Sequence, residues 1–268
     1  MPSLRALLSL ALAATTVSAH YNFDRLIING VTTGEYEFMR RTTNSNSPLP
    51  NIQNKDMVCN VGGLDAANRA ATKTAVVNAG DTIGFNVRDI MGHPGPVNVY
   101  MSKAPAGVTA QNYLGDGDWF KVYALGVKQF RPSKGVIWGS MPDTAPQGIP
   151  NVQFTLPTAL PAGEYLVRME HIAIHGASEP GGAQFYIGCG QLTVRSSGTG
   201  VPSPTVKFPG AYKGNEPGLV FPVYWPPMLN YTMPGPATWP NKCDDHTPNV
   251  VGQKSDGDCT PILPCDGC

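Results

Sequence analysis

The sequence carries little charge, and neither sign of charge dominates. Charged residues make up 14% of the 268 positions, against roughly 25% in an average soluble protein. The 19 basic side chains balance 19 acidic ones, so the formal net charge is zero. This excludes a protein that binds nucleic acid through a basic surface, and we expect no nucleic-acid partner. No run of 18 or more apolar residues follows the first segment, so we expect no membrane span.

Long amphipathic helices are also missing. No segment shows a convincing helical pattern of 12 or more residues, and 30 glycines and 26 prolines lie between short apolar runs. Many short strands joined by Gly/Pro turns predict an all-β antiparallel sandwich, and a barrel fits the pattern nearly as well. The predicted strands are 25–30, 74–77, 81–87, 97–101, 119–123, 152–156, 164–169 and 183–194.

The first 19 residues are predicted to be a secretory signal peptide. Arg5 gives a positive start, residues 7–14 are apolar, and residues 17–19 are small, as a cleavage site requires. We therefore expect a secreted, extracellular protein whose mature chain begins at His20. An α-amine has a pKa of about 7.7–8.0 in model peptides, so a terminal histidine can bind a metal through amine and ring near neutral pH.

The six cysteines are an even number, which in an exported chain indicates disulfides. Four of them lie within residues 243–268 and are expected to pair among themselves, which leaves Cys59 with Cys189. The tail 241–268 is polar and contains no aromatic residue, so we predict a small disulfide-tied appendage. Residues 196–240 are predicted to wrap over the surface of one domain that spans 20–240.

Two histidines have the surroundings of metal ligands. His93 lies between glycine and proline on a turn after a strand, and with His20 it would supply one amine and two imidazole nitrogens. Such a set suits Cu(II), which favours tetragonal nitrogen and oxygen ligands, whereas zinc usually wants a fourth strong ligand in a tetrahedron. We expect His171 to be a hydrogen-bonded core histidine, and His175, beside a glycine-rich loop, to lie near the site.

Gln184 and Tyr186 are two residues apart on a predicted strand, so their side chains share a face. When a phenol and an amide project to the same side, they can occupy the axial position of a metal and hydrogen-bond to the groups around it. Buried tyrosine–glutamine pairs are common, so the pattern alone also fits an ordinary core.

The sequence resembles the fungal lytic polysaccharide monooxygenases of auxiliary activity family 9, once classed as glycoside hydrolases, over roughly residues 20–240. The matching segments are HYNF at 20–23, GHPGPV at 92–97, WFKVY at 119–123, GEYLVR at 163–168, EHIAIH at 170–175, GGAQFYIGC at 181–189, FPGAY at 208–212, NEPGL at 215–219 and YTMPGP at 231–236. They occur in the same order as in the family. Together they are a specific match, whereas any one of them alone would be weak evidence.

The resemblance implies an immunoglobulin-like or fibronectin III-like β-sandwich with long loops and one copper ion. His20 would bind it through amine and ring, His93 would supply the third nitrogen, and Tyr186 would be axial. His175 and Gln184 would orient the oxygen species, and Cys59–Cys189 matches the usual disulfide of the family.

The implied activity is cleavage of β-1,4-glucans, chiefly cellulose, by oxidation at C1 or C4. Dioxygen or hydrogen peroxide would be the co-substrate, and electrons would come from small reductants or from cellobiose dehydrogenase. The implied enzyme is a monomer, and its terminal histidine is often methylated in filamentous fungi.

Tyr231 is by resemblance a sugar-stacking residue, although a packed position is equally compatible with the sequence. Asn230 begins a glycosylation sequon, residues 230–232, and a glycan there would crowd the stacking face. The chain departs from common members in the short polar segment 42–56 and in the cysteine-rich tail, which puts substrate range and regioselectivity in doubt.

Three other functions compete. A glycoside hydrolase needs two carboxylates about 5–5.5 or 6.5–9.5 Å apart, and the candidates show no pair at a telling spacing; they are Asp116, Asp118, Glu164 and Glu170. A secreted sandwich that binds copper or carbohydrate without catalysis remains an alternative. A zinc hydrolase is disfavoured because the sequence lacks His-Glu-x-x-His.

Overall fold

A computed structural model describes residues 20–240. The predicted signal peptide 1–19 and the predicted tail 241–268 lie outside these residues. The strands are β1 (Phe23–Ile28), β2 (Val31–Thr32), β3 (Ala75–Asn78), β4 (Thr82–Val87), β5 (Val97–Lys103), β6 (Phe120–Leu125), β7 (Val127–Arg131), β8 (Gly135–Trp138), β9 (Asn151–Thr155), β10 (Gly163–Ala173) and β11 (Gln184–Arg195). Within residues 20–240, helical structure is limited to a 3₁₀ turn, Lys55–Met57, and α1, Ala66–Ala71. Neither is long and apolar enough to cross a membrane.

Two sheets form the sandwich. The smaller has the order β2-β1-β4-β9, the larger has the order β3-β11-β10-β5-β6, and β7 pairs with β8 in a separate hairpin. Neighbouring strands are antiparallel, apart from β3, which runs parallel to β11. The all-β sandwich prediction is thus confirmed, with one parallel edge strand as a departure from the pattern. The barrel alternative is wrong because both sheets have open edges.

The core between the sheets follows from alternation along the strands. In β10 the inward residues include Tyr165, Val167 and Met169, and they pack against Ile83 and Phe85 of β4. Because successive strand residues point to opposite faces, every second position of β10 reaches this core. Its intervening residues point to the outer face of the larger sheet.

The outer face of the larger sheet is buried as well, and this was not evident from the sequence. A second apolar cluster covers it, built largely from loops and from residues 199–240. Val206 forms an isolated β-bridge with Trp119, and Thr238 forms one with Lys121. This last segment is therefore paired with β6 and with the residue just before it. The predicted wrapping segment is therefore an integral layer of the fold.

The predicted Cys59–Cys189 disulfide is present. It joins the chain just after the 3₁₀ turn to the middle of β11 on the outer face. The buried Arg168 reinforces the same junction, since its Nε donates to the carbonyls of Met57 and Val58 at 3.0 and 3.1 Å. The loop 55–63 is thereby fixed against the sheet that also carries the candidate site.

Candidate metal centre

Three predicted metal ligands meet at one end of the sandwich. His20 lies three residues before the start of β1, His93 lies in the loop between β4 and β5, and Tyr186 lies near the start of β11. The ring centroids of His20 and His93 are 6.4 Å apart, with the ring planes at 90°. The Tyr186 ring lies 6.4 Å from His20 and 5.9 Å from His93. Residues up to 166 positions apart in sequence thus enclose one small space.

The loop that carries His93 is fixed against β10. The amides of Ile172 and Ile174 donate to the carbonyls of Pro96 and Pro94, at 2.9 and 3.0 Å. Gly95 has a φ of +146°, and a Cβ there would stand 2.0 Å from the Ile172 carbonyl oxygen. Only glycine permits this approach, which explains the glycine–proline pattern and gives His93 a rigid support.

His175 lies beside His93, as the sequence predicted. The two rings are stacked at 4.1 Å with an angle of 18° between planes. Burial lowers the pKa of His175, and the nearby His20 lowers it further, so the His175 ring is neutral at pH 7. Gln184 starts β11 and pairs with Ala173 of β10. It shares the face of Tyr186, because the two are alternate residues of one strand.

Tyr21 is a member of the site that the sequence analysis missed. Its ring stacks on that of Tyr186 at 4.2 Å and 19°, and its hydroxyl contacts Nδ1 of His171. Nε2 of His171 lies 3.2 Å from the Gly95 carbonyl and must donate to it, so Nδ1 accepts from Tyr21. The only sequence signal for Tyr21 is its place next to His20.

His171 is the hydrogen-bonded core histidine that was predicted. It is fully buried, and burial, with a smaller contribution from His93, lowers its pKa to about 3. The ring is therefore neutral and acts as a bridge between Tyr21 and the His93 loop. It supports the site without facing the space between His20 and His93.

The unmatched polar atoms of the site fit a bound metal and its surroundings. Within residues 20–240, the Tyr186 hydroxyl and Nδ1 of His175 are buried without a hydrogen-bond partner. Burial raises the pKa of Tyr186 to about 12, so the phenol is neutral at pH 7. Two imidazoles and a phenol suit copper better than a hard cation such as Mg²⁺.

The side chains alone do not complete a metal site. Among the described residues, no three histidine, cysteine, aspartate or glutamate side chains lie close enough to hold an ion. A third strong donor must come from another kind of group. The α-amine that His20 would gain on cleavage after Ala19 is a nitrogen donor at the right residue.

The prediction that Tyr231 stacks on sugar is wrong. Its side chain is only 4% exposed, packs edge-on against Trp138 and Phe221, and donates from its hydroxyl to the Gly218 carbonyl at 2.7 Å. A ring enclosed in this way has no free face for a substrate. Asn230 next to it is exposed, and glycosylation there stays a prediction.

Two other aromatic side chains are exposed instead. Tyr224 and Trp225 are 72% and 79% exposed, and the sequence analysis did not single them out. Tyr224 and Pro94 border a shared groove of about 350 Å³, so Tyr224 lies on the side of the molecule that carries the His93 loop, and Trp225 follows it in the chain. The signal available in the sequence was an aromatic pair followed by two prolines.

Two of the four carboxylates considered for a hydrolase, Glu164 and Glu170, have structural partners. Glu170 is fully buried in an ion pair with Arg168 at 2.7 Å. Glu164 accepts from the Ala110 amide at 2.8 Å and from the Thr193 hydroxyl at 2.6 Å. Neither has the open surroundings of a general acid or nucleophile.

Comparison with known proteins places this fold among the β-sandwich monooxygenases that degrade polysaccharides. The extended catalytic domain of H. jecorina LPMO9A, also called EG4, superposes with a TM-score of 0.72 at 25% identity, over 91% of this chain and 98% of that one. The model of Auxiliary Activity family 9, formerly GH61, matches residues 20–231. The chain belongs to this family, and the protein is an oxidoreductase that cleaves polysaccharides oxidatively.

Curated relatives agree with this membership. The AA9 family lytic polysaccharide monooxygenase C of Emericella nidulans is 45% identical over 236 residues, which cover 87% of this chain and 97% of the relative. The monooxygenase H of Malbranchea cinnamomea is also 45% identical over 236 residues, covering 87% of this chain and 96% of the relative.

Proposed function

We propose that this protein is a secreted, monomeric copper enzyme that cleaves β-1,4-glucan chains, chiefly cellulose, at C1, C4 or both. Dioxygen or hydrogen peroxide is the co-substrate, and a small reductant or cellobiose dehydrogenase supplies electrons. The observation that carries the proposal is the meeting of His20 and His93 beside the Tyr186 hydroxyl, which is buried and lacks a partner among the described residues.

In this proposal His20 holds copper through its amine and ring, and His93 holds it through its ring. The bound copper supplies one-electron redox chemistry toward the oxygen co-substrate, which amino-acid side chains do not provide. Tyr186 would offer its hydroxyl to the metal as a neutral phenol, because burial raises its pKa to about 12. Tyr21 stacks behind it and fixes the ring plane.

His175 and Gln184 orient the co-substrate. The neutral His175 ring can donate or accept a hydrogen bond through Nδ1, which has no partner among residues 20–240. Its stacking on His93 keeps it beside the metal ligand. The Gln184 amide, on the same strand face as Tyr186, offers both a donor and an acceptor.

An insoluble polymer requires an open binding face, because a crystalline chain cannot enter a deep pocket. Tyr224 supplies exposed aromatic surface on the side of the His93 loop, and the exposed Trp225 follows it in the chain. We propose that they take the role that Tyr231 cannot fill, with Trp225 stacking on a glucose ring of the polymer. Aromatic rings pair a large apolar face with a polar edge, which suits the amphipathic faces of a sugar.

The experiment separates copper binding from polymer binding. The N-terminal residue of the secreted protein is determined by mass spectrometry, and copper titration, cellulose pull-down and oxidised-product analysis follow on wild type, His93→Gln and Trp225→Ala. The proposal expects a chain starting at His20 with one tight copper. H93Q should weaken copper binding by more than about 100-fold, since even groups that only support metal ligands are worth 10–100-fold, while it still binds cellulose.

W225A should show the reverse, with unchanged copper affinity and weaker cellulose binding. A mature chain that starts elsewhere, or a wild type without tight copper, would contradict the enzyme proposal and favour a non-catalytic carbohydrate binder. Product release that persists in H93Q or in the presence of a chelator would instead indicate a hydrolase.

A further inference from the structure

A second pocket, polar in character, adjoins His20 and is not used by the proposed reaction. Its volume is about 450 Å³, and it forms where the start of β1, the loop 33–46 and the end of β4 meet. Asn46 connects it to the metal centre, because its Nδ2 donates to the His20 carbonyl at 3.2 Å. The lining residues that matter here are Asn22, Tyr36, Arg41, Thr42, Asn46 and Arg88.

Two buried oxygens of this pocket lack partners within residues 20–240. Asn22 is only 6% exposed, and its Nδ2 donates to the Tyr36 hydroxyl at 3.1 Å, which orients the amide. Its Oδ1 has no hydrogen bond, and neither has the Thr42 hydroxyl. Buried polar atoms without partners are rare and costly, so two in one pocket point to a ligand that offers hydroxyl groups.

The pocket also holds a positive charge that no ion pair of the described residues neutralises. The Arg41 guanidinium lies over the Tyr36 ring, 4.1 Å from its centroid, which holds it in place. The second arginine, Arg88, is already engaged with Glu35 at 3.3 Å. A guanidinium in a fixed position pairs most specifically with a planar carboxylate.

We propose that this pocket binds a hexuronate, a sugar ring that carries one carboxylate. The carboxylate pairs with Arg41, and ring hydroxyls donate to Oδ1 of Asn22 and bond to the Thr42 hydroxyl. Because the pocket adjoins His20, the ring is a uronic acid branch of a β-1,4-linked xylan that crosses the metal centre, which extends the proposed substrate beyond unbranched glucan. This last step rests on the proposed function, whereas hexuronate binding itself does not.

The test is a calorimetric or NMR titration of the full-length secreted protein without reductant. Three probes are compared: free glucuronic acid, a xylo-oligosaccharide with one glucuronic acid branch, and its unbranched counterpart. We expect the branched oligosaccharide to bind about tenfold more tightly than the unbranched one, as a charge-assisted hydrogen bond would provide. Arg41→Gln should remove that difference, and Thr42→Val should reduce it severalfold.

Arg195→Gln is the matched control, because it removes the same charge from an exposed residue at the opposite end of β11. It should bind like wild type. Equal affinity for branched and unbranched probes, or equal losses in R41Q and R195Q, would overturn the proposal. Free glucuronic acid binding as tightly as the branched probe would support the hexuronate site but identify a free acid as its ligand. Since no product is measured, failure here is distinguishable from failure of the oxidative function.

Discussion

The two faces of the larger sheet each carry a polar cluster. One cluster is built on a buried ion pair, and the other is built on aromatic rings. On the outer face, Arg168 and Glu170 form a buried ion pair, and Tyr212 and Asn98 add hydrogen bonds to the same carboxylate. On the inner face, one residue further along β10, His171 belongs to a cluster of neutral rings. There the Tyr186 hydroxyl remains without a partner among the described residues.

The outer cluster is a structural network, whereas the inner cluster lies at the candidate metal centre. The outer cluster pairs its two charges with each other and fixes loops, since Arg168 also bonds the carbonyls near Cys59 and lies over the Phe208 ring at 3.9 Å. Even so, Nη2 of Arg168 and Oδ1 of Asn98 have no hydrogen-bond partner among the described residues. In the inner cluster the Tyr186 hydroxyl, which has no hydrogen-bond partner among the described residues, lies beside the rings of His20 and His93. Incomplete hydrogen bonding alone therefore does not mark function here; the place of the open atom next to candidate ligands does.

The most damaging change should be Glu170→Gln, which leaves Arg168 buried without its counter-charge. Removing one partner of a buried pair costs about 3–5 kcal/mol of unfolding free energy, so we expect a loss of that size in urea or guanidinium unfolding. Copper affinity of the folded fraction should stay at the wild-type value. Glu179→Gln, at an exposed loop position, is the control and should change stability by less than about 0.5 kcal/mol. A loss below 1 kcal/mol in E170Q would mean that the outer network is not structural.

A pH titration of metal-free protein should reveal the inner cluster. The folded pKa of His171 is about 3 and that of an unfolded histidine is about 6.5, so below pH 6.5 the unfolded chain takes up a proton that the folded chain does not. Stability should be constant above about pH 6.5 from this residue and fall as the pH drops toward 3. The loss at pH 5 should be about 2 kcal/mol.

The comparison that isolates His171 is with His171→Gln. The difference in unfolding free energy between wild type and variant should shrink as the pH falls from 7 to 5, because the variant lacks the proton uptake of its unfolded state. Parallel curves for the two proteins would contradict a neutral, buried His171.

The smallest effect on stability should come from Tyr186→Phe. Because the hydroxyl is buried without a hydrogen bond among the described residues, its removal should leave metal-free stability unchanged or raise it by up to about 1 kcal/mol. The electron paramagnetic resonance spectrum of the copper-loaded protein should nevertheless change. A clear loss of metal-free stability, with an unchanged copper spectrum, would place Tyr186 among the structural groups.

The sequence predicted most of the sandwich, including β11 at nearly its full length, but not the full length of β10 or the apolar cluster on the outer face. Residues 164–169 were recognised in β10, whereas 170–173 were missed, because a strand buried on both faces loses its polar alternation. The hairpin of β7 and β8 was missed because Pro132 interrupts the pattern between short runs.

Site residues could be predicted where residue type and sequence position indicate their chemistry. They could not be predicted where their role depends on tertiary packing. His20, His93, His175 and Tyr186 were found through residue type, the predicted cleavage site and family resemblance. Tyr231 was misassigned because its burial depends on Trp138 and Phe221, which are distant or offset in sequence. The pocket around Arg41 joins three separate segments that no local pattern connects.

The position of His20, three residues before β1, affects how a newly formed chain end would behave. Chain termini ordinarily fray, but β1 is paired with β2 on one side and β4 on the other, and Asn46 holds the His20 carbonyl. An amine released by cleavage after Ala19 would therefore emerge on a segment that already has its final conformation. Maturation would then create a metal ligand in a single bond-breaking step, without a folding step to follow it.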